Sequence, residues 1–417
     1  MSDSSSQQQQ QQPPPPSTSA AADYELRALT APEIPAFLAH CAQTFAPAGA
    51  PATLFQDHWH NDPHSSVAGV LIAVLPNSTT TTTPTIVSSV RVYHRSLNLA
   101  HHNAIPCGAI GDVATHPAHR GKGLARRLLA MADTYMRDHC GMPVAALHAA
   151  PLAAPLYESC GYIRKPMRMS VLSVSYPYAT RADHHQLAEK PAWMTWTGAA
   201  AELGNERLAA LYDCLAPAGT LARDAAYWAT WVARGSRDDR AQLVRRACKG
   251  QVDGRAFEGY AFLDVKSWRI CEWFAGWVDG GEDSATPAAT ISRLPAGLET
   301  EVFGFLLAEC LHTADPPIPR PPPSATSVAT AADTDAMLEF KIPTALLPAN
   351  CNKTSSFSVK EAPLDDCWMF KSLTPCVVKS KHHSTAAADA TTTTINTTQD
   401  LLAALGPDFG FCRTDAY

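Results

Sequence analysis

The sequence of 417 residues lacks several features that mark other classes of protein. Its longest apolar run, at residues 67–75, is about half of the roughly 18 residues that a membrane-spanning helix needs. The net charge is -6, so no overall basic character indicates nucleic-acid binding. The N-terminus also lacks the basic-then-apolar order of a secretory signal. We therefore expect neither a membrane nor a nucleic-acid partner.

The 12 cysteines form no Cys-x-x-Cys pair, which is a frequent spacing in zinc and redox motifs. Scattered cysteines of this kind indicate reduced thiols, and we expect a cytoplasmic protein. His58, His60 and His64 lie in a histidine-rich segment. Because no cysteine or carboxylate completes a recognisable ligand spacing with them, the sequence predicts no metal site.

Composition and length indicate several folded units. The hydrophobic content of 46% can form real cores, and the length suggests two or three domains. Residues 1–22 contain glutamine and proline runs and are expected to be a disordered tail. Residues 315–335 are rich in proline and alanine, as linkers are. The predicted division is a first domain over residues 23–176, a second over residues 177–314, and a small C-terminal module over residues 336–417.

One stretch combines a short strand, a glycine-rich turn and an amphipathic helix. Residues 109–114 are small and apolar apart from Asp112, which is typical of a buried strand. Pro117 ends this strand, and the turn of residues 120–125 follows. Apolar side chains then recur at helical spacing, at Leu124, Leu128, Leu129, Met131, Ala132 and Met136.

The glycines of this turn, Gly121 and Gly123, are therefore predicted to lie at the start of a helix. Unpaired backbone N–H groups and the positive end of the helix dipole favour an anion at such a position. Glycine lets the backbone approach a phosphate closely, and Arg120 and Lys122 add positive charge. A simple permissive turn is the alternative, but the strand before it and the helix after it favour a phosphate-binding loop.

A second pattern follows at a predicted strand, residues 144–148, and at a short helix that carries Tyr157 and ends at Gly161. Arg-x-x-Gly-x-Ala at residues 120–125, together with Tyr-x-x-x-Gly-Tyr at residues 157–162, resembles the GCN5-related N-acetyltransferase (GNAT) superfamily. The resemblance covers roughly residues 23–175. It implies an α/β (α+β) fold with a mixed sheet, in the order strand, helix, three strands, helix, strand, helix.

The resemblance also implies a binding site for acetyl-CoA as co-substrate. In GNAT proteins the glycine loop holds the pyrophosphate, which assigns that role here to Arg120, Gly121, Lys122, Gly123, Leu124 and Ala125. The strand that carries Asp112, Val113 and Ala114 would splay from its neighbour, so that the pantetheine arm pairs with its backbone. The backbone N–H of Val113 or Ala114 is then the expected donor to the oxyanion.

Acetyl transfer to an amine needs a base for the amine proton and an acid for the CoA thiolate. By resemblance, Tyr157 is the expected acid, and a packed helix tyrosine is the alternative. The base is open: Asp112 could serve or could orient the loop, and His148 lies on the opposite strand. The third candidate is the terminal carboxylate of Tyr417. In Eis-like acetyltransferases, a multi-domain type of GNAT enzyme that the second half of the chain also resembles, the chain's own terminus acts as the base. Direct attack in a ternary complex is expected, since Cys160 has no evident activating partner.

The second half of the chain resembles the Eis-like (enhanced intracellular survival) acetyltransferases, in which a degenerate second GNAT-like domain follows the first. Residues 177–314 contain no second Arg-x-x-Gly-x-Ala motif, so we expect no second cofactor there. The predicted acceptor is a small amine or a lysine-bearing substrate, and a homo-oligomer is left open. Residues 411–417 faintly resemble the end of fungal lysine N-acetyltransferases. A non-catalytic acyl-CoA-binding regulator and an interaction scaffold are the remaining alternatives.

Overall fold

The computed structural model of the chain describes most residues from Tyr24 to Phe409. The described ranges are 24–75, 85–99, 103–176, 203–232, 243–279, 290–312, 336–348, 350–351, 357–365, 367–379, 392–406 and 409. The expected tail, the expected linker and Tyr417 lie outside them. Within these ranges, no helix is long and apolar enough to cross a membrane.

Strands dominate the described residues. In chain order they are β1 (Glu25–Ala28), β2 (Val70–Leu75), β3 (Thr85–Leu99), β4 (Asn103–Thr115), β5 (Val144–His148), β6 (Ile163–Arg164), β7 (Met167–Tyr176), β8 (Leu243–Val252), β9 (Arg255–Asp264), β10 (Arg269–Asp279), β11 (Thr290–Arg293), β12 (Ala336–Pro343), β13 (Phe357–Asp365), β14 (Trp368–Ser372), β15 (Cys376–Lys379) and β16 (Thr392–Ile395).

The helices cover the faces of the sheets. They are α1 (Ile34–Phe45), α2 (Ala52–Asn61), α3 (Leu124–Thr134), α4 (Ala154–Glu158), α5 (Asn205–Leu215), α6 (Ala225–Tyr227), α7 (Ala296–His312) and α8 (Thr398–Ala404). Five residues of π-helix extend α3, and another five extend α6. The element order predicted for the first domain is confirmed, with α2 as an addition.

The first sheet has the order β1-β2-β3-β4-β5-β14-β6. Only β4 and β5 are parallel neighbours, so the sheet is mixed as predicted. Helix α3 covers one face and buries Leu124, Leu128, Leu129 and Ala132. Helices α1 and α2 cover the other face with Phe37, Leu38, Cys41 and Phe55. Each large side chain buried in this way contributes roughly 1.5–3 kcal/mol to folding.

The helix on the α3 face approaches β4 very closely. A Cβ atom placed on Gly108 of β4 would lie only 1.9 Å from the sulfur of Met136, in the π-helical extension. Glycine in this strand therefore lets the helix settle directly onto the sheet. The contact holds the helix axis against the strand that carries the predicted acetyl-CoA site.

The second sheet has the order β13-β7-β12-β10-β9-β8, with β11 paired to β10. Its core is rich in aromatic side chains, including Tyr212, Trp228, Trp231, Tyr260 and Phe303. The aromatic residues of 227–231, which recur at helical spacing in the sequence, therefore belong to the core of this sheet. Strand β7 falls within the predicted first domain, residues 23–176, but it pairs with β12 and β13 of the second sheet. Strand pattern alone identifies a strand but not its partner, because pairing is a long-range choice.

Strands from the predicted C-terminal module join all three sheets. Strands β12 and β13 belong to the second sheet, β14 lies between β5 and β6 of the first, and β15 pairs with β16. Helix α8 covers β14, and its Leu401 packs near Phe370. Residues of the far C-terminal part therefore line the same sheet as the glycine turn. The domain boundaries stay a prediction.

The two large sheets meet at the end of β3. The Asn98 backbone N–H donates to the carbonyl of Thr220 at 2.8 Å, and the Asn98 side chain donates to the Thr220 hydroxyl at 3.1 Å. Leu97 forms a β-bridge with Leu221, and both side chains are buried. These contacts join the first sheet to the segment between α5 and α6, and both of these helices pack in the core of the second sheet.

Candidate active site

Strands β4 and β5 separate where the chain carries the predicted acetyl-CoA site. They pair only from Cys107 to Ala109, which face Val144 to Ala146. Strand β4 continues to Thr115 and β5 to His148 without further pairing between them. A row of backbone groups on β4 therefore faces a cleft instead of a neighbouring strand, as the resemblance predicted.

A β-bulge in β4 lies at this cleft. Ser89 pairs with Ala114 and Arg91 pairs with Gly111, so Asp112 and Val113 both lie opposite Val90. Asp112 has a φ of +49°, which is uncommon for a residue with a side chain. Bulges re-aim backbone groups and often occur beside active sites. The bulge lies on two of the three residues expected to contact the pantetheine arm.

The Asp112 carboxylate is held by a buried polar network. The Tyr93 hydroxyl donates to Asp112 Oδ2 at 2.9 Å, and Arg91 Nη1 lies 3.5 Å from the same oxygen. Burial raises the pKa of Asp112, while Arg91 and Tyr93 oppose that shift. Because Oδ2 is engaged by both Tyr93 and Arg91, the geometry favours the orienting role of Asp112 over the role of base.

The network continues to Asp62, at the end of α2. Arg95 donates two hydrogen bonds to Asp62, at 3.0 and 3.1 Å, and Arg91 donates a third at 3.4 Å. The Tyr93 ring lies between the two guanidinium groups, 4.0 Å from Arg91 and 5.3 Å from Arg95. Sequence reasoning missed these residues. The available signal was the alternation of Arg91, Tyr93 and Arg95 along one face of the strand.

The glycine turn has the conformation that the anion-binding prediction requires. Gly121 and Gly123 have φ values of +75° and +73°, and Gly123 is the N-cap of α3. No described atom lies within 4 Å of a Cβ placed on either glycine, so the space above the turn is open. The first N–H groups of a helix have no intrahelical acceptor. Here the first bond closes from Arg127 N to Gly123 O, which leaves the preceding N–H groups available to a ligand.

Basic side chains surround this turn. Arg120 Nε donates to the Thr115 carbonyl at 3.1 Å, and Lys122 Nζ donates to the Tyr24 hydroxyl at 2.7 Å. Arg126, which sequence reasoning missed, donates to the Ser159 hydroxyl at 3.0 Å. The first turn of α3 contains no acidic residue. Positive charge at the positive end of a helix dipole is unfavourable until an anion binds there, so the arrangement suits a diphosphate.

Comparison with known proteins agrees with this geometry. Residues 25–164 match the family model of the acetyltransferase (GNAT) domain. The chain contains a GNAT acetyltransferase domain. This finding confirms the superfamily resemblance and supports acyltransferase activity at the level of the family. No curated protein sequence matches the chain.

Two solved structures with TM-scores above 0.5 share the fold over most of the chain. A GCN5-related N-acetyltransferase from Anabaena variabilis is similar over 84% of this chain and 73% of its own, with 12% identity and a TM-score of 0.51. A conserved Enterococcus faecalis protein described as a probable N-acyltransferase is similar over 84% and 72%, with 12% identity and a TM-score of 0.53. Eis1 from Mycobacterium abscessus is similar over 84% and 74%, with 14% identity and a TM-score of 0.45.

In the GNAT domain, Tyr157 lies on α4 with its side chain buried in the cluster on the α3 face. Its ring meets Tyr162 edge to face, with 6.2 Å between the ring centres. Burial, with a smaller contribution from Cys160, raises the pKa of Tyr157 to about 12. The phenol therefore keeps its proton near neutral pH, as a proton donor must. Gly161 ends the helix with a φ of +90°, as predicted.

His148, at the end of β5, contacts the C-terminal part of the chain. Its Nε2 lies 3.1 Å from Oδ2 and 3.2 Å from Oδ1 of Asp365, and its ring meets Trp368 edge to face. His148, Asp365 and Cys367 are close enough to offer three ligands to a metal ion. The earlier histidine segment instead has separate contacts, since His60 bonds the Gln56 carbonyl and His64 lies 3.0 Å from Asp224.

A cavity of about 490 Å³ lies between the first sheet and the α5–α6 segment that packs on the second sheet. Arg95 and Arg223 line it, and each is paired with a buried carboxylate. Asp213 and Asp224 add acidic groups to the lining. Asp224 is paired with His64 at 3.0 Å, and burial raises the pKa of Asp213 to about 6.

Proposed function

We propose that the protein is an N-acetyltransferase that moves the acetyl group of acetyl-CoA to a primary amine. The reaction proceeds by direct attack in a ternary complex. The observation that carries this proposal is the pair of left-handed glycines at the N-terminus of α3, beside the cleft between β4 and β5, within a GNAT domain.

Acetyl-CoA binding divides into two parts. The diphosphate is bound by the N–H groups and basic side chains of the turn, formed by Arg120, Gly121, Lys122, Gly123, Leu124 and Ala125. The pantetheine arm pairs with the free edge of β4 at Asp112, Val113 and Ala114. The open space above the glycines supports this assignment, because a diphosphate can approach the backbone there.

The chemistry requires stabilisation of negative charge at two atoms. The N–H of Val113 or Ala114 donates to the carbonyl oxygen as it becomes an oxyanion, and one such donor contributes about 3–4 kcal/mol in known enzymes. Tyr157 donates its proton to the CoA sulfur as the thiolate leaves. Its burial, which keeps the phenol protonated, supports this role.

The acceptor is a small amine or a lysine-bearing substrate. The carboxylates of Asp213 and Asp224 in the lining of the cavity support an amine, which is cationic before it reacts. A lysine or small-amine acetyltransferase of the fungal type is the narrower alternative. The carboxylate of Tyr417 as base, a homo-oligomer and a cytoplasmic location stay predictions.

The test measures CoA release with a panel of free amino acids, polyamines, aminoglycosides and peptide N-termini. We expect at least one amine to raise the rate well above hydrolysis. Tyr157→Phe should lower kcat by about 10²- to 10⁴-fold and leave CoA binding intact. Tyr135→Phe, at the opposite end of the α3 helix, is the matched control and should retain activity.

A different result would identify the non-catalytic alternative. If the chain binds CoA but no amine raises CoA release, and Tyr157→Phe leaves the background rate unchanged, the protein is an acyl-CoA-binding regulator. If calorimetry detects no CoA binding at all, the assignment of the turn is wrong and the transferase proposal fails with it.

A further inference from the structure

We infer that His148 is the general base of the transfer and that Asp365, contributed by the C-terminal part of the chain, is the residue that positions it. This inference rests on the proposed acetyltransferase function. It goes beyond the GNAT domain, because Asp365 lies 217 residues after His148 and outside the residues that match the family.

The contact between the two side chains is directional. One ring nitrogen of His148, Nε2, lies within 3.2 Å of both oxygens of Asp365. Trp368 meets the imidazole edge to face, with ring centres 4.9 Å apart, and restricts its rotation. With Nε2–H donated to the carboxylate, Nδ1 carries the lone pair that accepts a proton.

Asp365 is itself fixed in its charged form. Burial raises the pKa of Asp365. The hydrogen bond and charge of His148, together with the Cys367 N–H, lower the pKa by more than burial raises it, so the net shift is downward. The Cys367 backbone N–H donates to Oδ1 at 3.1 Å. An ionised, oriented carboxylate stabilises the imidazolium that forms when His148 takes a proton, as in other His–Asp pairs.

His148 also lies at the correct position along the cleft. Ala109 pairs with Ala146, so continuation of this register would place His148 opposite Gly111. Gly111 immediately precedes the bulge at Asp112. The histidine is therefore at the point where β4 and β5 have begun to separate.

The acid and the base lie on opposite faces of the sheet. Leu147 packs with Tyr157 in the cluster on the α3 face. Side chains alternate along a strand, so His148 faces the other side, where Ala146 and Trp368 pack. An amine that enters from the His148 side can attack a thioester whose sulfur leaves toward Tyr157.

The proton balance of the step follows from this arrangement. The amine nitrogen forms a bond to the thioester carbonyl carbon, and the carbon–sulfur bond breaks. The ammonium group first releases one proton to solvent. In the transfer step the nitrogen then loses a second proton to Nδ1 of His148, and the sulfur takes a proton from Tyr157. His148 then releases its proton to solvent, and Tyr157 regains one from solvent. Asp365 stays ionised throughout.

The test compares Asp365→Asn and His148→Gln with Glu361→Gln, an exposed acidic residue on the same strand as Asp365. The readouts are CoA affinity by calorimetry and kcat/KM as a function of pH with the best amine of the panel. We expect unchanged CoA affinity in all three variants. The loss in kcat/KM should be about 10²- to 10⁴-fold for His148→Gln, at least tenfold for Asp365→Asn, and absent for Glu361→Gln.

Two readouts separate a positioning role from a merely structural one. Removal of the Asp365 carboxylate removes the charge that stabilises the imidazolium, so kcat/KM should fall while thermal stability and CoA affinity stay unchanged. A structural defect would lower thermal stability together with the rate. In His148→Ala, added imidazole should restore part of the activity. Asp365→Glu should retain more activity than Asp365→Asn.

Three results would overturn the inference while the transferase function survives. One is an active protein in which His148→Gln has the wild-type rate. Another is loss of activity when two residues are added after Tyr417, because that result identifies the terminal carboxylate as the base. The third is inhibition by a chelator, reversed by Zn²⁺, which would show that His148, Asp365 and Cys367 bind a metal.

Discussion

The replacement Gly123→Ala tests the glycine turn most directly. Gly123 has a φ of +73°, and an L-residue with a Cβ pays roughly 1–2 kcal/mol to adopt the left-handed conformation. The variant must either accept this strain or rotate the peptide groups at the start of α3. Rotation would turn an N–H group away from the diphosphate. Hydrogen bonds to charged groups contribute about 1.5–3 kcal/mol, so we expect a rise of roughly tenfold to hundredfold in the Kd for CoA.

The chain offers a matched control for this variant in Gly141→Ala. Gly141 has a φ of +63°, and no described atom lies within 4 Å of its added Cβ, as at Gly123. It follows the π-helical extension of α3, at the opposite end from the turn. The two variants should therefore lose similar stability in thermal unfolding, while only Gly123→Ala weakens CoA binding in calorimetry. Equal CoA affinities in two folded variants would refute the assignment of the turn.

Three other changes probe charge at separate places in the GNAT domain. Lys122→Glu should raise the Kd for CoA at least tenfold and make CoA binding less dependent on salt. Arg137→Glu, at the far end of the α3 helix, should change neither quantity. Isothermal titration at two salt concentrations measures the Kd and its salt dependence. Asp62→Asn removes the carboxylate that pairs with two buried arginines and should lower the free energy of unfolding in urea by about 3–5 kcal/mol. Replacement of an exposed carboxylate, in Asp138→Asn, should have no measurable effect. The pKa of Glu33 is lowered to about 2, chiefly by its hydrogen bond with Arg27. The stability that Glu33 contributes to the fold is therefore fully present above the unfolded pKa near 4.5 and is lost as the pH falls toward 2. Glu33→Gln should therefore flatten the loss of stability in thermal melts between about pH 5 and 2, and an unchanged slope would contradict this assignment.

The buried network around Tyr93 links several parts of the site. Through Asp112 it reaches the bulge in β4, and through Asp62 and Arg95 it reaches the cavity that Arg95 lines. The positive charges of Arg91 and Arg95 balance the negative charges of Asp62 and Asp112, so the network can be buried without a net charge. Removal of one member leaves an uncompensated charge, which is why we expect the large cost at Asp62.

Local patterns in the sequence determined much of the first domain. The apolar strand before Pro117, the glycines at helix-start positions and the helical spacing from Leu124 to Met136 are short-range features. They predicted β4, the turn and α3, because backbone conformation and helix amphipathicity act over a few residues. The same is true of Gly161, whose left-handed conformation ends the helix of Tyr157.

Only the tertiary structure decided which distant segments meet. The sequence contained no sign that β14 would lie beside β5, or that β7 would join the second sheet. Strand pairing depends on hydrogen bonds and side-chain packing between residues far apart in the chain, and a strand's own pattern is compatible with many partners. For this reason the sequence could place His148 at the cleft but could not bring Asp365 to it.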